Sequence, residues 1–301
     1  TDMLELINLV APRETSVLLL GESGTGKELA AKALHDASAR AGKAMITVEC
    51  AGLTETLFES ELFGHVKGAF TGAVENRIGA AKAADGGTLF LDEICEMELN
   101  LQVKLLRFIQ AGMIQRVGSA KAEPVDVRIV CATNRDPLRE VAEGRFREDL
   151  YYRLNGAQLS LPPLRERADK LYVIRQVFSD VVSERGGSSA PRLRADAISA
   201  LLAYAWPGNI RQLKNALAFA LVTAESDEIT VHDLPEQCLS QRITRTPAIT
   251  APESEATDCH LVTRLQQHQW NISAVARELG VSRPTVYRQM QRQGIVPPNK
   301  A

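Results

Sequence analysis

Residues 21–28, with the sequence GESGTGKE, constrain the fold more than any other segment of the chain. The apolar run at residues 17–20 precedes them and predicts a buried strand. Residues 28–39 are rich in Ala, Leu and Lys and favour a helix. Between a strand and a helix, the spacing G-x-x-x-x-G-K is typical of a loop that wraps phosphate groups. The segment therefore predicts an α/β fold with a parallel sheet and a phosphate-binding loop.

The residue types of this loop suit an anion. Glycines allow backbone N–H groups to turn toward phosphate oxygens, and the start of the following helix adds unpaired amides and a positive dipole end. Lys27 is placed to reach the β- and γ-phosphates of ATP. Glu28 stands where Ser or Thr usually contacts magnesium, so the metal must depend more on other ligands. The predicted nucleotide-binding residues of the loop are Gly21, Glu22, Ser23, Gly24, Thr25, Gly26, Lys27 and Glu28.

A second candidate for nucleotide chemistry is the segment GGTLFLDE at residues 86–93. Its apolar centre predicts a strand that ends in Asp92 and Glu93, at the sheet edge where ligands bind in such folds. We predict that Asp92 holds Mg²⁺, directly or through water, and that Glu93 polarises the water that attacks ATP. Gly86 and Gly87 complete the predicted site. The alternative is a solvated acidic loop, which the nearby phosphate loop disfavours.

Apolar runs also predict strands at residues 45–48, 88–91 and 127–130, with a helix at 101–110 between the last two. After residue 163 the strand signals fade, and helices are predicted at 170–184, 195–205 and 210–223. Residues 241–257 lack periodicity and predict a flexible linker. We therefore expect four parts, namely an α/β core at 1–163, a helical subdomain at 164–240, the linker, and a small all-α domain at 258–301.

The charge is distributed unevenly between these parts. Residues 257–301 hold six Lys/Arg against two Asp/Glu, a balance of +4. The remaining residues hold 29 basic and 35 acidic side chains, a balance of −6. A basic tail on an acidic body indicates that only the tail meets a polyanion, although charge alone leaves a merely soluble tail equally open.

Other classes of protein are disfavoured by composition. No run of eighteen apolar residues and no signal-peptide pattern is present, so we expect a cytoplasmic protein with no membrane partner. Aromatic residues make up 5% of the chain, which argues against a large stacking surface for single-stranded nucleic acid. The cysteines form no C-x-x-C pair and predict reduced thiols rather than disulfides or a zinc site; they are Cys50, Cys95, Cys131, Cys238 and Cys259.

One hexapeptide and its flank connect the chain to a known family. The string GAFTGA consists of Gly68, Ala69, Phe70, Thr71, Gly72 and Ala73, and ESELFGH precedes it at residues 59–65. With these motifs, residues 3–234 resemble the AAA+ domain of bacterial enhancer-binding proteins, the NtrC-like activators of sigma-54 polymerase. Composition alone favours a plain glycine-rich surface turn at this place.

The resemblance implies an AAA+ P-loop NTPase core with a helical lid that hydrolyses ATP with Mg²⁺ in a hexameric or heptameric ring. It implies that the hexapeptide tips a loop that projects from the ring and grips sigma-54 in the RNA polymerase holoenzyme. Phe70 is then an exposed aromatic anchor between small residues, and Thr71 adds a hydroxyl. Because the chain begins at Thr1, part-way into the usual domain, we expect a fragment with a weakened adenine site.

Further residues match the family segment by segment. Asn134 follows a predicted strand, as the first sensor does, and Arg147 and Arg153 match the arginine fingers that enter the neighbouring subunit. Arg211 matches the second sensor, with Asn209 a candidate N-cap of its helix. Glu49 stands where many members have Asn, so we expect it to face and repel Glu93.

Residues 271–292 predict a helix-turn-helix that resembles the Fis-like domain ending many of these activators. Ala276, Gly280 and Val286 have the spacing of a helix-two contact, the turn glycine and a helix-three core residue. A structural three-helix knob is the alternative. The resemblance implies a dimer on double-stranded enhancer DNA, and the predicted DNA-binding residues are Ser282, Arg283, Pro284, Thr285, Tyr287 and Arg288.

Three functions stay open at this point. The first is an ATP-driven activator of sigma-54 polymerase. The second is a DNA-binding regulator with a relic nucleotide domain, which the full set of predicted catalytic residues disfavours. The third is another AAA+ machine, such as an unfoldase or helicase loader, which the hexapeptide around Phe70 disfavours.

Overall fold

The computed structural model describes residues 3–52, 54–185, 191–224, 227–238, 261–268, 270–279, 283–292 and 295. The chain forms two compact units, Thr1–Pro163 and Leu164–Ala301. The predicted linker at residues 241–257 lies outside the described residues. No helix in the described part combines the length and apolar character that crossing a bilayer requires.

The first unit contains nine strands and seven α-helices within its described residues. The strands are β1 Val17–Leu20, β2 Met45–Glu49, β3 Gly64–His65, β4 Arg77–Ile78, β5 Thr88–Asp92, β6 Met113–Gln115, β7 Ala122–Pro124, β8 Arg128–Thr133 and β9 Ala157–Ser160. The helices are α1 Met3–Val10, α2 Lys27–Asp36, α3 Glu55–Phe63, α4 Ala80–Ala83, α5 Leu99–Ala111, α6 Pro137–Ala142 and α7 Glu148–Leu154.

Five of these strands form one parallel sheet in the order β2-β5-β8-β1-β9. Alternate side chains of a strand point to opposite faces, so Leu18 joins one hydrophobic core and Leu19 the other. The first core includes Leu62, Leu105 and Leu150 from α3, α5 and α7, and the second includes residues of α1 and α2. The sheet is parallel, as predicted, and it lies between two helical layers.

The predicted strands are confirmed, but the residues at which they begin or end differ from the predicted bounds. Strands β2 and β5 extend to Glu49 and Asp92, which pair in register across the two strands. Strand β8 begins at Arg128, one residue later than predicted, and continues to Thr133. The edge strand β9 was missed because its sequence, AQLS, is half-exposed and carries no apolar run.

Two small hairpins leave this sheet, and neither was predicted. Strands β3 and β4 pair antiparallel and enclose residues 66–76, and β6 pairs antiparallel with β7. Strands of two or three residues are too short to give a periodic signal.

The second unit is mainly helical. Its helices are α8 Lys170–Arg185, α9 Ala195–Ala203, α10 Asn209–Thr223, α11 Leu261–Gln267, α12 Ile272–Leu279 and α13 Arg283–Arg292, and a two-residue strand pair joins β10 Arg192–Leu193 to β11 Glu228–Ile229. Trp206 is fully buried in the core of α8 to α10 and donates its indole N–H to the Leu201 carbonyl at 2.8 Å. Helix α9 ends two residues earlier than predicted, because Tyr204 is extended.

The last three helices have a core of their own, formed by Leu265, Val275, Ala276, Val286 and Met290. The predicted core positions of Ala276 and Val286 are thereby confirmed. The predicted turn residue Gly280 lies outside the described residues.

Candidate functional site

The phosphate loop leaves β1 and enters α2, as predicted. Gly24 and Gly26 have φ angles of 78° and 98°, a left-handed conformation that glycine adopts without steric cost. The Thr25 hydroxyl donates to the Glu22 carbonyl at 2.8 Å and closes the turn. The left-handed Gly26 precedes the first helical residue, so the first amides of α2 face the loop.

Lys27 is buried, although lysine is rarely buried without a partner. Its Nζ donates to the Gly21 carbonyl at 3.0 Å and lies 3.4 Å from Glu93 Oε1. The ammonium group thus lies between the phosphate loop and the acidic end of β5. This arrangement places a positively charged group where phosphate oxygens would bind.

Glu93 is held by its backbone conformation and by two hydrogen bonds that the sequence did not predict. Its backbone is left-handed, with φ of 51°, and its N–H donates to Asp92 Oδ1 at 2.9 Å. Its Oε2 accepts the backbone N–H of Asn134 at 3.0 Å. The neighbouring strands β5 and β8 thereby bring Asp92, Glu93 and Asn134 to one edge, as predicted.

Two predicted nucleotide contacts are wrong. Gly86 and Gly87 precede β5 and lie at its amino end, whereas Asp92 closes the strand at the opposite edge. Five residues of strand separate the two edges by roughly 15 Å. Gly87 instead meets the sheet backbone, since a Cβ there would lie 2.0 Å from the Ala44 carbonyl oxygen.

Buried thiols underlie the acidic edge. Burial raises the pKa of the Cys50 thiol well above its usual range, and the charges of Glu49, Asp92 and Glu93 add to this effect. Burial also raises the pKa of Cys95 to about 11. Such thiols stay protonated near neutral pH and do not compete as ligands for a hard cation.

Glu49 lies at the end of β2, directly across from Asp92. The two oxygens of Glu93 contact Lys27 and the Asn134 amide. Repulsion between Glu49 and Glu93 stays a prediction.

Of the two predicted arginine fingers, Arg147 is the N-cap residue of α7 and Arg153 lies within the helix. The Arg147 guanidinium forms two hydrogen bonds with Asp149, at 3.0 and 2.7 Å, which raise its pKa. Its backbone N–H donates to Gln102 Oε1 at 2.8 Å. Arg153 lies on the exposed last turn of α7.

Gln102 links two segments near the site, and it was not among the predicted residues. It is fully buried on α5, and its Nε2 donates to the carbonyls of Met97 and Arg145 at 2.8 and 2.9 Å. It therefore connects the turn after Glu93 with the segment that carries Arg147. The sequence signal that could have identified Gln102 is its polar side chain at an otherwise apolar position of α5.

A second missed cluster joins the same regions by charge. Glu140 is buried and accepts two hydrogen bonds from Arg145, at 2.7 Å each, and one from Arg135 at 3.2 Å. Arg135 also pairs with Glu96, three residues after Glu93. Hydrogen bonds from Arg145 and then Arg135 lower the pKa of Glu140 to about 2.

The hexapeptide lies in the loop between β3 and β4. Thr71 and Gly72 are exposed, as expected of a projecting tip. The prediction of an exposed Phe70 is wrong, because its half-buried ring packs edge-on against His65 at a centroid distance of 5.0 Å. The sequence contains no signal for this, since it depends on the path of the loop.

The predicted second sensor lies in the other unit. Arg211 is exposed in the first turn of α10. The prediction of Asn209 as the N-cap is wrong: Gly208 is the cap residue, and Asn209 Oδ1 accepts the Leu164 N–H at 2.8 Å.

Of the predicted DNA contacts, Tyr287 is exposed on α13 and Thr285 is half-buried. Arg283 donates to the Thr223 carbonyl and to Asp233 Oδ1, both at 2.8 Å. Asp233 is 2% exposed, so this is a buried ion pair within the second unit. Ser282 and the side chains of Pro284 and Arg288 lie outside the described residues.

The residues at the sheet edge fit a nucleoside triphosphate. The loop offers inward-turning amides and a buried ammonium group, and the acidic strand end offers carboxylates. No group of three or more His, Cys, Asp or Glu side chains among the described residues forms a metal site. A divalent cation would therefore depend on phosphate oxygens and water besides Asp92.

Family models match three consecutive parts of the chain. Residues 1–160 match the Sigma-54 interaction domain, residues 165–251 the AAA+ ATPase lid domain, and residues 259–292 the bacterial regulatory proteins of the Fis family.

Curated relatives align along almost the whole chain. Regulatory protein LuxO of Vibrio cholerae serotype O1 is 48% identical over 297 residues, covering 95% of this chain and 65% of the relative. Nitrogen fixation protein AnfA of Azotobacter vinelandii is 41% identical, with coverage of 98% and 56%. This chain thus spans less than two thirds of the length of either.

Among solved structures, NtrX from Brucella abortus in complex with ADP superposes with a TM-score of 0.73 at 31% identity, covering 97% of this chain and 67% of that one. The NtrX complex with ATP gives 0.71. With the hexapeptide, the phosphate loop and the matched domains together, the chain belongs to the Sigma-54 interaction domain family of AAA+ proteins.

Proposed function

We propose that this chain hydrolyses ATP to remodel sigma-54 RNA polymerase holoenzyme for promoter opening, and that its last domain binds enhancer DNA. The observation that carries the proposal is the convergence of Lys27, Glu93 and the Asn134 amide at one edge of the sheet. The match to the Sigma-54 interaction domain supports the choice of partner.

The side chains divide the chemistry between them. Lys27 and the loop amides bind the β- and γ-phosphates and offset their charge. Asp92 would hold Mg²⁺, which would supply positive charge to offset the negative charge that develops during hydrolysis. Glu93 orients the attacking water and accepts its proton, and Asn134 positions the Glu93 carboxylate through its backbone N–H.

Hydrolysis needs a ring, because the fingers act on the neighbouring subunit. Asp149 neutralises Arg147 within its own chain. In the assembled ring the γ-phosphate replaces Asp149 as the partner of Arg147, and Arg153 joins it. A bidentate guanidinium suits a developing phosphoryl charge. We therefore expect ATP turnover per subunit to rise with protein concentration.

Two other parts of the chain bind the partners of this activity. The loop that carries Phe70 and Thr71 binds the sigma factor. Its movement during ATP hydrolysis is transmitted to that factor. Helix α13 binds in the major groove, where a basic helix contacts bases and phosphates. The basic charge of residues 257–301 supports the assignment of DNA binding to this end of the chain.

The test is ATP-dependent open-complex formation on a linear promoter with sigma-54 holoenzyme, measured against sigma-70 holoenzyme on its own promoter. We expect open complexes only with sigma-54 and only with hydrolysable ATP. Equal stimulation of both polymerases, or stimulation without nucleotide, would contradict the proposal. ATP turnover with no effect on either polymerase would favour another AAA+ machine.

A further inference from the structure

The loop at residues 66–76 is seated on the tip of the β6–β7 hairpin. The Val117 N–H donates to the Gly64 carbonyl at 2.9 Å, and the Val66 N–H donates to the Val117 carbonyl at 3.0 Å. Through these two bonds His65 forms a parallel bridge with Val117. The base of the loop is therefore attached to a second, independent hairpin.

The contact continues to the start of the hexapeptide. Gly118 has φ of 81°, and a Cβ placed there would lie 2.7 Å from Ala69 Cβ and 3.1 Å from Val66 Cγ2. Only a glycine allows the hairpin tip to approach Ala69 this closely. The hairpin thus supports the backbone immediately before Phe70.

Short hydrogen-bonded turns connect this seat to Phe70 itself. The Ala69 N–H donates to the Val66 carbonyl at 3.1 Å, and the Ala73 N–H donates to the Phe70 carbonyl at 3.0 Å. The Gly68 N–H closes the loop on the Ala73 carbonyl at 2.9 Å. Phe70 therefore has little freedom to move unless these turns open.

The His65 ring provides the surface on which Phe70 rests. His65 is 9% exposed, and its Nδ1 shares a hydrogen bond of 2.7 Å with the buried Ser60 hydroxyl, which fixes the ring plane. The Phe70 ring meets it at 70°, an edge-to-face geometry that stabilises aromatic pairs. Thr71 is exposed beside this pair.

We propose that His65 is a positioning residue that holds Phe70 in a stowed conformation, and that the loop must break the His65–Phe70 contact before Phe70 can bind the sigma factor. Thr71 is accessible in the stowed loop, whereas the part of the Phe70 ring that packs against His65 becomes accessible only on release. The role of Phe70 in this inference rests on the proposed function, but the contact itself does not.

Hydrogen exchange of the loop amides, measured by mass spectrometry on the whole chain, tests the contact without any partner. His65→Asn removes the ring, and we expect exchange at residues 66–76 to accelerate about fivefold, the factor expected for loss of one aromatic pair. His65→Phe keeps a ring and should exchange within twofold of the wild type. Lys67→Ala, on the exposed side of the same loop, is the matched control and should be unchanged.

Phe70→Leu removes the other ring without changing a buried strand residue, and we expect the same acceleration. The double variant His65→Asn with Phe70→Leu should exchange no faster than either single variant, because both remove one contact. Amides of β5 report on the fold in every variant. If His65→Asn also accelerates β5, Phe70→Leu alone decides the test. Wild-type exchange in Phe70→Leu, or additive effects in the double variant, would overturn the inference.

Binding to sigma-54 forms a second arm. Without nucleotide, His65→Asn should bind the factor about fivefold more tightly than the wild type, since the released loop no longer opposes binding. Equal or weaker binding by His65→Asn would overturn the coupling of the contact to the partner. If the wild type fails to bind under every nucleotide condition, the proposed function fails, while the exchange experiment still decides whether His65 holds Phe70.

Discussion

At the scale of single residues, Glu93 stands out because its backbone and both carboxylate oxygens are constrained. A left-handed non-glycine residue costs energy and persists only where its surroundings hold it. Here the strain turns the carboxylate toward Lys27 and the Asn134 amide. The orientation is therefore set before any nucleotide binds.

Glu93→Gln tests the assignment of the water-orienting group. Glutamine keeps the size of the side chain and an acceptor for the Asn134 amide, but it cannot take a proton from water. We expect nucleotide affinity near the wild-type value and turnover lower by about 10²-fold or more. The checks are a fluorescent-nucleotide titration and a steady-state ATPase assay, and turnover within a few fold of the wild type would refute the assignment.

Lys27→Ala removes the buried cation of the phosphate loop. We expect nucleotide binding to fall below detection at millimolar ATP, because the loop amides alone face three or four phosphate charges. Lys32→Ala is a suitable control, since it removes the same charge from the exposed side of the same helix. Isothermal titration with ATP distinguishes the two, and equal losses in both variants would contradict a specific role for Lys27.

At the scale of elements, the cluster around Glu140 joins α6, the turn after β8 and the segment before α7. The folded-state pKa of Glu140 is lowered to about 2, so its contribution to stability is complete above the unfolded value near 4.5 and is lost as the pH falls toward 2. Its charged partners Arg135 and Arg145 keep their charge throughout this range.

Glu140→Gln should therefore lower the free energy of unfolding by about 2 kcal/mol at pH 7, the value typical of hydrogen bonds to a charged group. The difference from the wild type should shrink as the pH falls from 4.5 toward 2. Denaturant unfolding at several pH values measures it, with Glu143→Gln, on the more exposed side, as a comparison. A difference that does not change with pH would mean that the charge of Glu140 is not responsible.

At the scale of the whole molecule, the ion pair between Arg283 and Asp233 connects α13 with the rest of the second unit. Asp233 Oδ2 accepts the Thr230 N–H and hydroxyl, which leaves Oδ1 for the guanidinium. If Arg283 binds DNA as proposed, it must first leave this buried carboxylate. DNA binding and the ion pair therefore compete for the same side chain.

Asp233→Asn should weaken the ion pair while keeping an acceptor for Thr230. We expect the affinity for enhancer DNA to rise about fivefold, because Arg283 no longer has to leave a charged partner. This corresponds to roughly 1 kcal/mol of binding free energy. Asp180→Asn makes the same charge change on the exposed face of α8 and should have little effect. Fluorescence anisotropy at fixed salt measures both, and an identical rise in both variants would point to net charge instead.

Residues 17–93 illustrate how much could be predicted from the sequence. The phosphate loop, the central strands and the acidic strand end follow from local composition and spacing, because apolar runs and glycines act through nearby backbone. The prediction that Gly86 and Gly87 contact the nucleotide is wrong for the same reason. It relied on their closeness to Asp92 in sequence, but they lie at the opposite end of β5.

By itself, the sequence determined the layered α/β core, the helical second unit and the type of chemistry at the sheet edge. Only the tertiary structure decided what Glu93 and Phe70 contact, because Glu93 meets an amide 41 residues away and the loop of Phe70 rests on a separate hairpin. Such contacts depend on how distant elements pack, and local residue pattern carries no information about them.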